Sequence, residues 1–301
     1  MSDYTSFPAS LGETAYATFF CKLLSHYEDV SFLESHLEKI PKHLYKDAMY
    51  YLSRNKNPNA IPLMEKYISD LNWNALSSNP NAIHILEKNL DKICWRTLSN
   101  NPNPKTIDIL EKNLDKADWR GLSNNPNAVH ILENHLDKVN WVCLSCNKNP
   151  KALELLEQYL DKADWTWLSA NPSAIELLEK HFDKIKWDWL STNENAIHIL
   201  ENNLDKVDWN QLSQNPNAIH ILEKNLDKVN WEWMIANPCA IGILEKYPEK
   251  IIWKEIAHHS LACDLLKNNL DKLDSDAWIN LGLNRNISQI LRTLELHSGS
   301  L

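Results

Sequence analysis

Histidine side chains recur at one position of a repeated motif, where their ring nitrogens could bind a metal ion. The position directly follows the string N-P-N-A-I or a variant of it, and it is occupied by His84, His130, His198 and His220. His198 and His220 belong to adjacent repeats, so we expect them to lie about 8–10 Å apart, the usual distance between packed helices. Because zinc needs four ligands close together, we predict no metal site and instead a polar, exposed face.

Two cysteines have the C-x-x-C spacing of zinc ribbons and redox centres, in Cys143-Leu-Ser-Cys146. A zinc ribbon needs a second such pair, which the sequence lacks, and a redox pair needs a βαβ context. The remaining cysteines fall at different places in the repeat: Cys21, Cys94, Cys239 and Cys263. A disulfide framework would show regular spacing, so we predict free thiols in a reducing compartment.

Enzyme motifs are absent from the sequence, which has no Gly-rich phosphate loop, nucleophile elbow, H-E-x-x-H motif or paired acid with an orienting partner. Adjacent Asp and Lys residues, such as Asp205-Lys206 and Asp227-Lys228, recur in most repeats. A catalytic site needs one distinct constellation, so we interpret these as exposed ion pairs, each stabilising by about 0–1 kcal/mol. The prediction is a non-enzymatic protein with no catalytic residues and no cofactor.

One position of the repeat varies strongly and lies two residues after a recurring Trp. The occupants of this variable slot are Ala75, Thr97, Gly121, Cys143, Trp167, Trp189, Gln211, Trp233 and Glu255. A slot that ranges from Gly to Trp does not behave as a core position, and exposed Trp side chains dominate many protein-binding surfaces. The alternative is that these Trp side chains pack against the following helix. The candidate protein-binding residues are Trp167, Trp189, Gln211, Trp233, His198 and His220.

The elements that position these side chains are repeats of 22 to 24 residues, each marked by an anchor Trp. The anchors are Trp73, Trp95, Trp119, Trp141, Trp165, Trp187, Trp209, Trp231 and Trp253. Asp208 or its equivalent would cap a short first helix that begins at the anchor. Asn215-Pro216 would open a second helix, with Asn as N-cap and Pro at the first helical position. Ile219, Leu222 and Leu226 follow the spacing of an apolar helical stripe.

Stacked pairs of short helices predict an all-α solenoid of about twelve helical hairpins. We expect the anchor Trp to fill the seam between repeats, because a single hairpin cannot bury it alone. Residues 1–48 would form an N-terminal cap with one degenerate repeat, 49–275 the solenoid and 276–301 a C-terminal capping repeat. A leucine-rich repeat has a similar length, but that motif requires Asn where this chain keeps Leu. Two-residue insertions precede Asn57, Asn103 and Asn149, and they suggest a second contact zone.

Charge and hydropathy exclude several classes of partner. The net charge is −9 and no run of Lys and Arg forms a basic face, so we predict no binding to nucleic acid. No stretch approaches 18 apolar residues, which predicts no membrane insertion. The N-terminus lacks the basic start and apolar core of a secretory signal. We therefore expect a cytoplasmic protein.

The string W-x-x-L-S-x-N-P-N-A-I-x-I-L-E-K-N-L-D-K, nearly whole at 73–92 and 209–228, resembles Asn-Pro-Asn repeat proteins encoded by giant nucleocytoplasmic DNA viruses. The resemblance covers about residues 49–273, and the two ends depart from it. It implies a viral protein that acts in the host cytoplasm or is packed in a virion, and it brings no catalytic residues. Two functions follow as expectations: a scaffold that binds a host or viral protein, or a minor capsid or core component of the virion.

Overall fold

The computed structural model of the chain describes residues 13–25, 30–37, 39–284, 286–287 and 290. These residues contain 23 α-helices and no strand, which confirms the predicted all-α repeat class. In chain order the helices are α1 (Glu13–Leu23), α2 (Val30–Leu37), α3 (Tyr45–Ser53), α4 (Ile61–Lys66), α5 (Trp73–Ser77), α6 (Ile83–Glu87), α7 (Trp95–Ser99), α8 (Thr106–Glu111), α9 (Trp119–Asn124), α10 (Val129–Glu133), α11 (Trp141–Ser145), α12 (Pro150–Gln158), α13 (Trp165–Ala170), α14 (Ile175–Lys180), α15 (Trp187–Leu190), α16 (Ile197–Glu201), α17 (Trp209–Ser213), α18 (Ile219–Glu223), α19 (Trp231–Met234), α20 (Ile241–Lys246), α21 (Trp253–Ile256), α22 (Cys263–Lys267) and α23 (Ser275–Leu281). Short 3-10 helices span Lys42–Leu44, Pro58–Ala60, Leu160–Lys162, Phe182–Lys184, Pro216–Ala218, Pro248–Lys250, Ser260–Ala262 and Leu270–Lys272.

The chain divides into two compact units. Unit 1 comprises Met1–Ala82 and Ile241–Leu301, and unit 2 comprises Ile83–Ala240. Within unit 2 the first helices of successive repeats pack side by side, as α7 does on α9, α9 on α11, α11 on α13 and α13 on α15. Each first helix also contacts the second helix of its own repeat, for example α13 with α14.

Unit 1 brings segments from near both ends of the chain into one core, because α1 packs against both α3 and α23. Lys22 donates from Nζ to Oδ1 of Asn280 at 3.1 Å across this contact. A Cβ at Gly282 would lie 2.8 Å from the backbone oxygen of Phe19, so the close approach requires glycine.

Helix α23 continues the repeat pattern. Asp274 caps it by accepting the backbone N–H of Ala277 at 2.8 Å. Asn284 donates from Nδ2 to the backbone oxygens of Ala257 and His259, both at 3.0 Å. The sequence did not predict that α23 meets α1.

The predicted caps of the first helices are confirmed. The Asp208 carboxylate accepts a hydrogen bond from the backbone N–H of Gln211 at 3.0 Å. The same capping bond is made by Asn72, Asp118, Asn140, Asp164 and Asn230. Each cap satisfies a backbone donor that the helix itself cannot pair.

The second helices are shorter than the sequence predicted. Asn215 accepts from the backbone N–H of Asn217, and Pro216 follows it, as expected. However, α18 ends at Glu223, so Leu226 is not part of a continuous helical stripe. The side chains buried on α18 are Ile221 and Leu222, because the short helix turns this pair, rather than Ile219, towards the interior.

The interior of each repeat is built from small and medium side chains rather than from the anchor Trp. In one repeat of unit 2 the buried residues that are at most 3% exposed are Leu168, Ser169, Asn171, Ala174 and Leu178. Leu177, beside them, is 5% exposed and is also buried.

The anchors from Trp73 to Trp253 are only partly buried, so the prediction that they fill the seam is wrong. The reason is the closeness of the stacked backbones: Ser169 donates from Oγ to the Trp165 oxygen at 2.7 Å and accepts the backbone N–H of Lys186 at 2.9 Å. Because Ser169 bonds directly to the backbone of the next repeat, the space between the two repeats is too narrow for an indole ring. In contrast to these anchors, Trp278 on α23 of unit 1 is buried, with only 5% of its surface exposed.

In most repeats a buried asparagine links the repeat to the one before, whereas the repeat of α21 has His259 at this position. Asn171 donates from Nδ2 to the backbone oxygens of Ser145 and Asn147, at 3.0 and 2.9 Å. Its Oδ1 accepts the backbone N–H of Ser173 at 3.0 Å. We call such residues ladder Asn; the same pair of donations is made by Asn79, Asn125, Asn147, Asn193, Asn215 and Asn237. The sequence predicted only the capping role of this residue.

The two-residue insertions separate the two roles of the asparagine. Asn147 is the ladder Asn, and its Oδ1 accepts the backbone N–H of Asn149 at 2.9 Å. Asn149 then caps the second helix by accepting the backbone N–H of Lys151 at 3.0 Å. Asn215, whose repeat has no insertion, has both roles: it makes the two ladder donations and it is the N-cap of the 3-10 helix Pro216–Ala218. The insertion therefore extends the loop between the helices without interrupting the ladder.

Candidate protein-interaction site

The variable slot is the third residue of each first helix, and its exposure depends on its occupant. Trp167 and Trp233 are 39% and 37% exposed, whereas Trp189 is partly buried. Ala75 and Gly121 are buried, and a Cβ at Gly121 would lie 2.8 Å from Cβ of Ser99. The expectation that this slot lies outside the core therefore holds for its large occupants and is wrong for these two, because their backbone lies close to the preceding repeat.

Trp167 and Trp189 form a pair on the adjacent helices α13 and α15. Their ring centroids are 5.1 Å apart and the rings are inclined by 50°. The structure confirms the prediction that they are neighbours, and it combines the two alternatives: the rings pack on each other, yet Trp167 keeps a large exposed surface. Tilted aromatic pairs at this distance attract each other, so each ring restrains the other.

The slot continues along α17 and α19 with Gln211 and Trp233. We call the set Trp167, Trp189, Gln211 and Trp233 the Trp row. Gln211 is partly buried and its backbone N–H is bonded to the cap Asp208. The residues that precede the members of the Trp row are Thr166, Asp188, Asn210 and Glu232. Three of the four residues of the Trp row are therefore aromatic, and two of them follow an exposed carboxylate, Asp188 before Trp189 and Glu232 before Trp233.

The histidines lie on the second helices, where His130, His198 and His220 each contact a glutamate of the preceding repeat. His130 Nε2 lies 2.9 Å from Glu111 Oε1, and His198 Nε2 lies 2.9 Å from Glu179 Oε1. His220 contacts Glu201 in the same way. His198 and His220 are exposed, and His84 is partly buried. Among the residues that the structure describes, no group of three or more His, Cys, Asp or Glu side chains could hold a metal ion.

The C-x-x-C cysteines have no feature of a reactive pair. Neither forms a disulfide, and the Cys146 thiol donates to the backbone oxygen of Val142 at 3.5 Å. Burial, with a smaller effect from Cys143 and Asp164, raises the pKa of Cys146 to about 11. A nucleophilic or metal-binding cysteine must be a thiolate, and this thiol stays protonated near neutral pH.

A second aromatic row, missed in the sequence, is formed by the half-buried anchors and covered by lysines. Lys206 Nζ lies 4.8 Å from the ring centroid of Trp187, and Lys228 Nζ lies 4.7 Å from that of Trp209. The available signal was the regular spacing of Lys from the preceding anchor, 19 residues, or 21 in a repeat with an insertion. Because an ammonium group above the ring is itself attracted to it, the anchors are less available to a partner than the Trp row.

These lysines belong to Asp205-Lys206 and Asp227-Lys228, and the prediction that these two are ion pairs is wrong, because each lysine extends over a Trp ring instead. Asp137-Lys138 and Asp183-Lys184 do form ion pairs, each at 3.7 Å.

In the described part of the chain, no helix is both long enough and apolar enough to cross a membrane. No protein-family model, curated protein or solved structure matches the chain.

Proposed function

We propose that this chain is a non-enzymatic scaffold that binds another protein through the Trp row of unit 2. The observation that supports the proposal most directly is the Trp167–Trp189 pair, which presents contiguous aromatic surface while Trp167 remains 39% exposed. Trp is the residue most enriched among those that contribute strongly to protein–protein affinity. Rings that already pack on each other lose little further freedom on binding, which favours affinity.

The backbone under the Trp row is suited to this role because it is held by hydrogen bonds between repeats. The first helices α13 and α15 are in contact, and Ser169 and Asn193 both bond across that junction. Side chains on such packed helices are positioned more precisely than side chains on loops. His198 and His220 project from the second helices and provide a second, polar candidate surface in the same unit.

The resemblance to Asn-Pro-Asn repeat proteins of giant viruses supports a viral origin for the chain. The partner proposed is accordingly a host or viral protein met in the host cytoplasm. The alternative, a structural component of the virion, predicts stoichiometric amounts of the chain in purified particles, which mass spectrometry of those particles would detect.

The test compares two triple variants in pull-downs from cytosol. The first changes Trp167, Trp189 and Trp233 to Ser. The matched control changes three exposed apolar residues of unit 2 outside the row to Ser: Val142, Phe182 and Leu204. We expect proteins captured by the wild type and the control to be lost from the first variant. The affinity of each captured protein, measured with purified components, should fall at least tenfold, about 1.4 kcal/mol. Capture that is unchanged by the Trp substitutions would refute the proposal.

A further inference from the structure

A cleft of about 1080 Å³ lies in unit 1, between α3, the first insertion and the segment that follows α23. Its wall includes Tyr50, Tyr51, Arg54, Lys56 and Leu283. A cavity of this size accommodates a small organic molecule. The cleft is remote in sequence from the Trp row, and no function discussed above uses it.

The cleft is cationic in a chain whose net charge is −9. Arg54 and Lys56 line it, and the described lining residues include no Asp or Glu. Neither cation forms an ion pair with a described residue, whereas many other lysines of the chain pair with a carboxylate or cover a Trp ring. The Asp47 carboxylate acts on Tyr51 in the cleft wall. The pKa of Tyr51 is raised, chiefly by burial and further by Tyr50 and Asp47, and Arg54 lowers it.

Arg54 is held in place by the neighbouring tyrosine. Its Nη1 donates to the Tyr50 hydroxyl at 2.6 Å, and its guanidinium carbon lies 5.5 Å from the Tyr50 ring centroid. A guanidinium has five N–H donors, and this is its one hydrogen bond to a described residue. The remaining donors have the planar arrangement that binds carboxylate or phosphate oxygens in pairs.

Asn59 follows the first insertion and lines the cleft. The amide that donates to the preceding repeat lies two residues after the ladder Asn, as in Asn127 to Pro102 at 2.9 Å and, in a repeat with an insertion, Asn149 to Pro126 at 2.6 Å. Asn59 lies two residues beyond that position. The Asn59 side-chain amide lines the cleft and donates to no residue in the described part of the chain. It is therefore available to an acceptor atom of a ligand.

The aromatic wall completes the site. The rings of Tyr50 and Tyr51 meet edge to face, with centroids 5.4 Å apart and an interplanar angle of 75°. Leu283, on the opposite segment, is 37% exposed. Together these side chains offer an apolar surface beside the two cations.

We propose that this cleft binds a small organic anion. Its carboxylate or phosphate group pairs with Arg54 and Lys56 and accepts from the Asn59 amide. Its aromatic or apolar part lies against Tyr50 and Leu283. The proposal does not depend on the Trp row.

The experiment titrates the full-length, isotope-labelled chain with phenyl phosphate and with benzoate, followed by nuclear magnetic resonance. Benzyl alcohol is the uncharged probe and inorganic phosphate is the probe without a ring. We expect the two aromatic anions to shift signals around α3 and the first insertion, and the tighter of the two identifies the preferred anionic group. Benzyl alcohol and inorganic phosphate should bind at least tenfold more weakly.

Variants separate the cations from the fold. Arg54→Met with Lys56→Met should weaken both aromatic anions at least tenfold, because it keeps the apolar stems and removes the charges. The matched control Lys148→Met changes the equivalent residue of another insertion, in unit 2, and should bind as the wild type does. Asn59→Asp, which adds a repelling carboxylate at an exposed position, should also weaken binding. Equal binding by the Met double variant and the wild type would overturn the proposal. Benzyl alcohol binding as tightly as the anions would overturn the anionic half, and inorganic phosphate doing so would overturn the aromatic half.

Discussion

The interior of unit 2 and its tryptophan-bearing surface repeat with the same period, but different forces act on them. Leu168, Ser169 and Asn171 are buried, and the last two bond directly to neighbouring repeats. Trp165 and Trp167, on the same helix, lie towards solvent. Small polar and aliphatic residues thus lie where neighbouring repeats approach each other most closely. The largest side chains, the tryptophans, lie outside this contact. Strict recurrence of a residue indicates a structural role without indicating burial.

The largest loss of stability should follow from truncating the interior leucine. Leu168→Ala removes a fully buried side chain and should cost about 2–5 kcal/mol in the free energy of unfolding, through lost burial and the cavity left behind. Urea unfolding followed by circular dichroism measures this. The control Leu168→Met keeps the volume and should cost less than about 1.5 kcal/mol. A small loss for the Ala variant would place the interior elsewhere.

Removal of a ladder amide should come next. Asn171→Ala leaves the Ser145 and Asn147 backbone oxygens without that donor. Each unsatisfied buried polar group costs about 1–3 kcal/mol, so with two such oxygens we expect a loss of at least about 2 kcal/mol in urea unfolding. The control Asn195→Ala removes an exposed amide that donates to Pro172 at 2.9 Å, and it should cost below about 1 kcal/mol. Equal losses would mean that burial of the ladder contributes nothing.

An anchor should have an intermediate effect. Trp165 is partly buried and meets the His181 ring edge to face, with centroids 5.3 Å apart. Trp165→Ala should therefore cost about 2 kcal/mol, around half the value for a fully buried Trp. Trp165→Phe keeps an aromatic ring and should recover part of the loss. If the Ala variant loses more stability than Leu168→Ala, the anchor belongs to the core after all.

The smallest effect is expected at the Trp row. Trp167→Ser removes a side chain that is 39% exposed and one aromatic contact, which is worth about 0.5–1.5 kcal/mol. We expect a loss of about 1 kcal/mol or less in the melting of the helical signal, with a much larger effect on partner binding. Loss of stability comparable to that of Asn171→Ala would show that Trp167 has a structural role.

Periodicity made the helical class, the capping residues such as Asp208, and the proximity of Trp167 and Trp189 predictable from the sequence. The ladder was missed because Asn before Pro is typical of a helix cap, and only the insertions, as at Asn147 and Asn149, place the ladder Asn and the capping Asn at separate positions. The burial of Trp could not be read from its type, since it depends on how closely the backbones stack. The contact of α1 with α23 and the cleft beside it join segments that are far apart in the sequence, and a periodic pattern does not indicate which distant segments meet.

The most direct test of the account compares urea unfolding of two triple variants of unit 2. One changes Trp167, Trp189 and Trp233 to Ser, and the other changes the ladder residues Asn171, Asn193 and Asn215 to Ala. We predict that the Trp variant keeps a cooperative transition, with a midpoint lowered less than that of the ladder variant. The ladder variant should lose the cooperative transition of unit 2, because six backbone oxygens lose a buried donor. Equal destabilisation of the two variants, or a greater loss in the Trp variant, would contradict the division between a hydrogen-bonded interior and a tryptophan surface open to a partner.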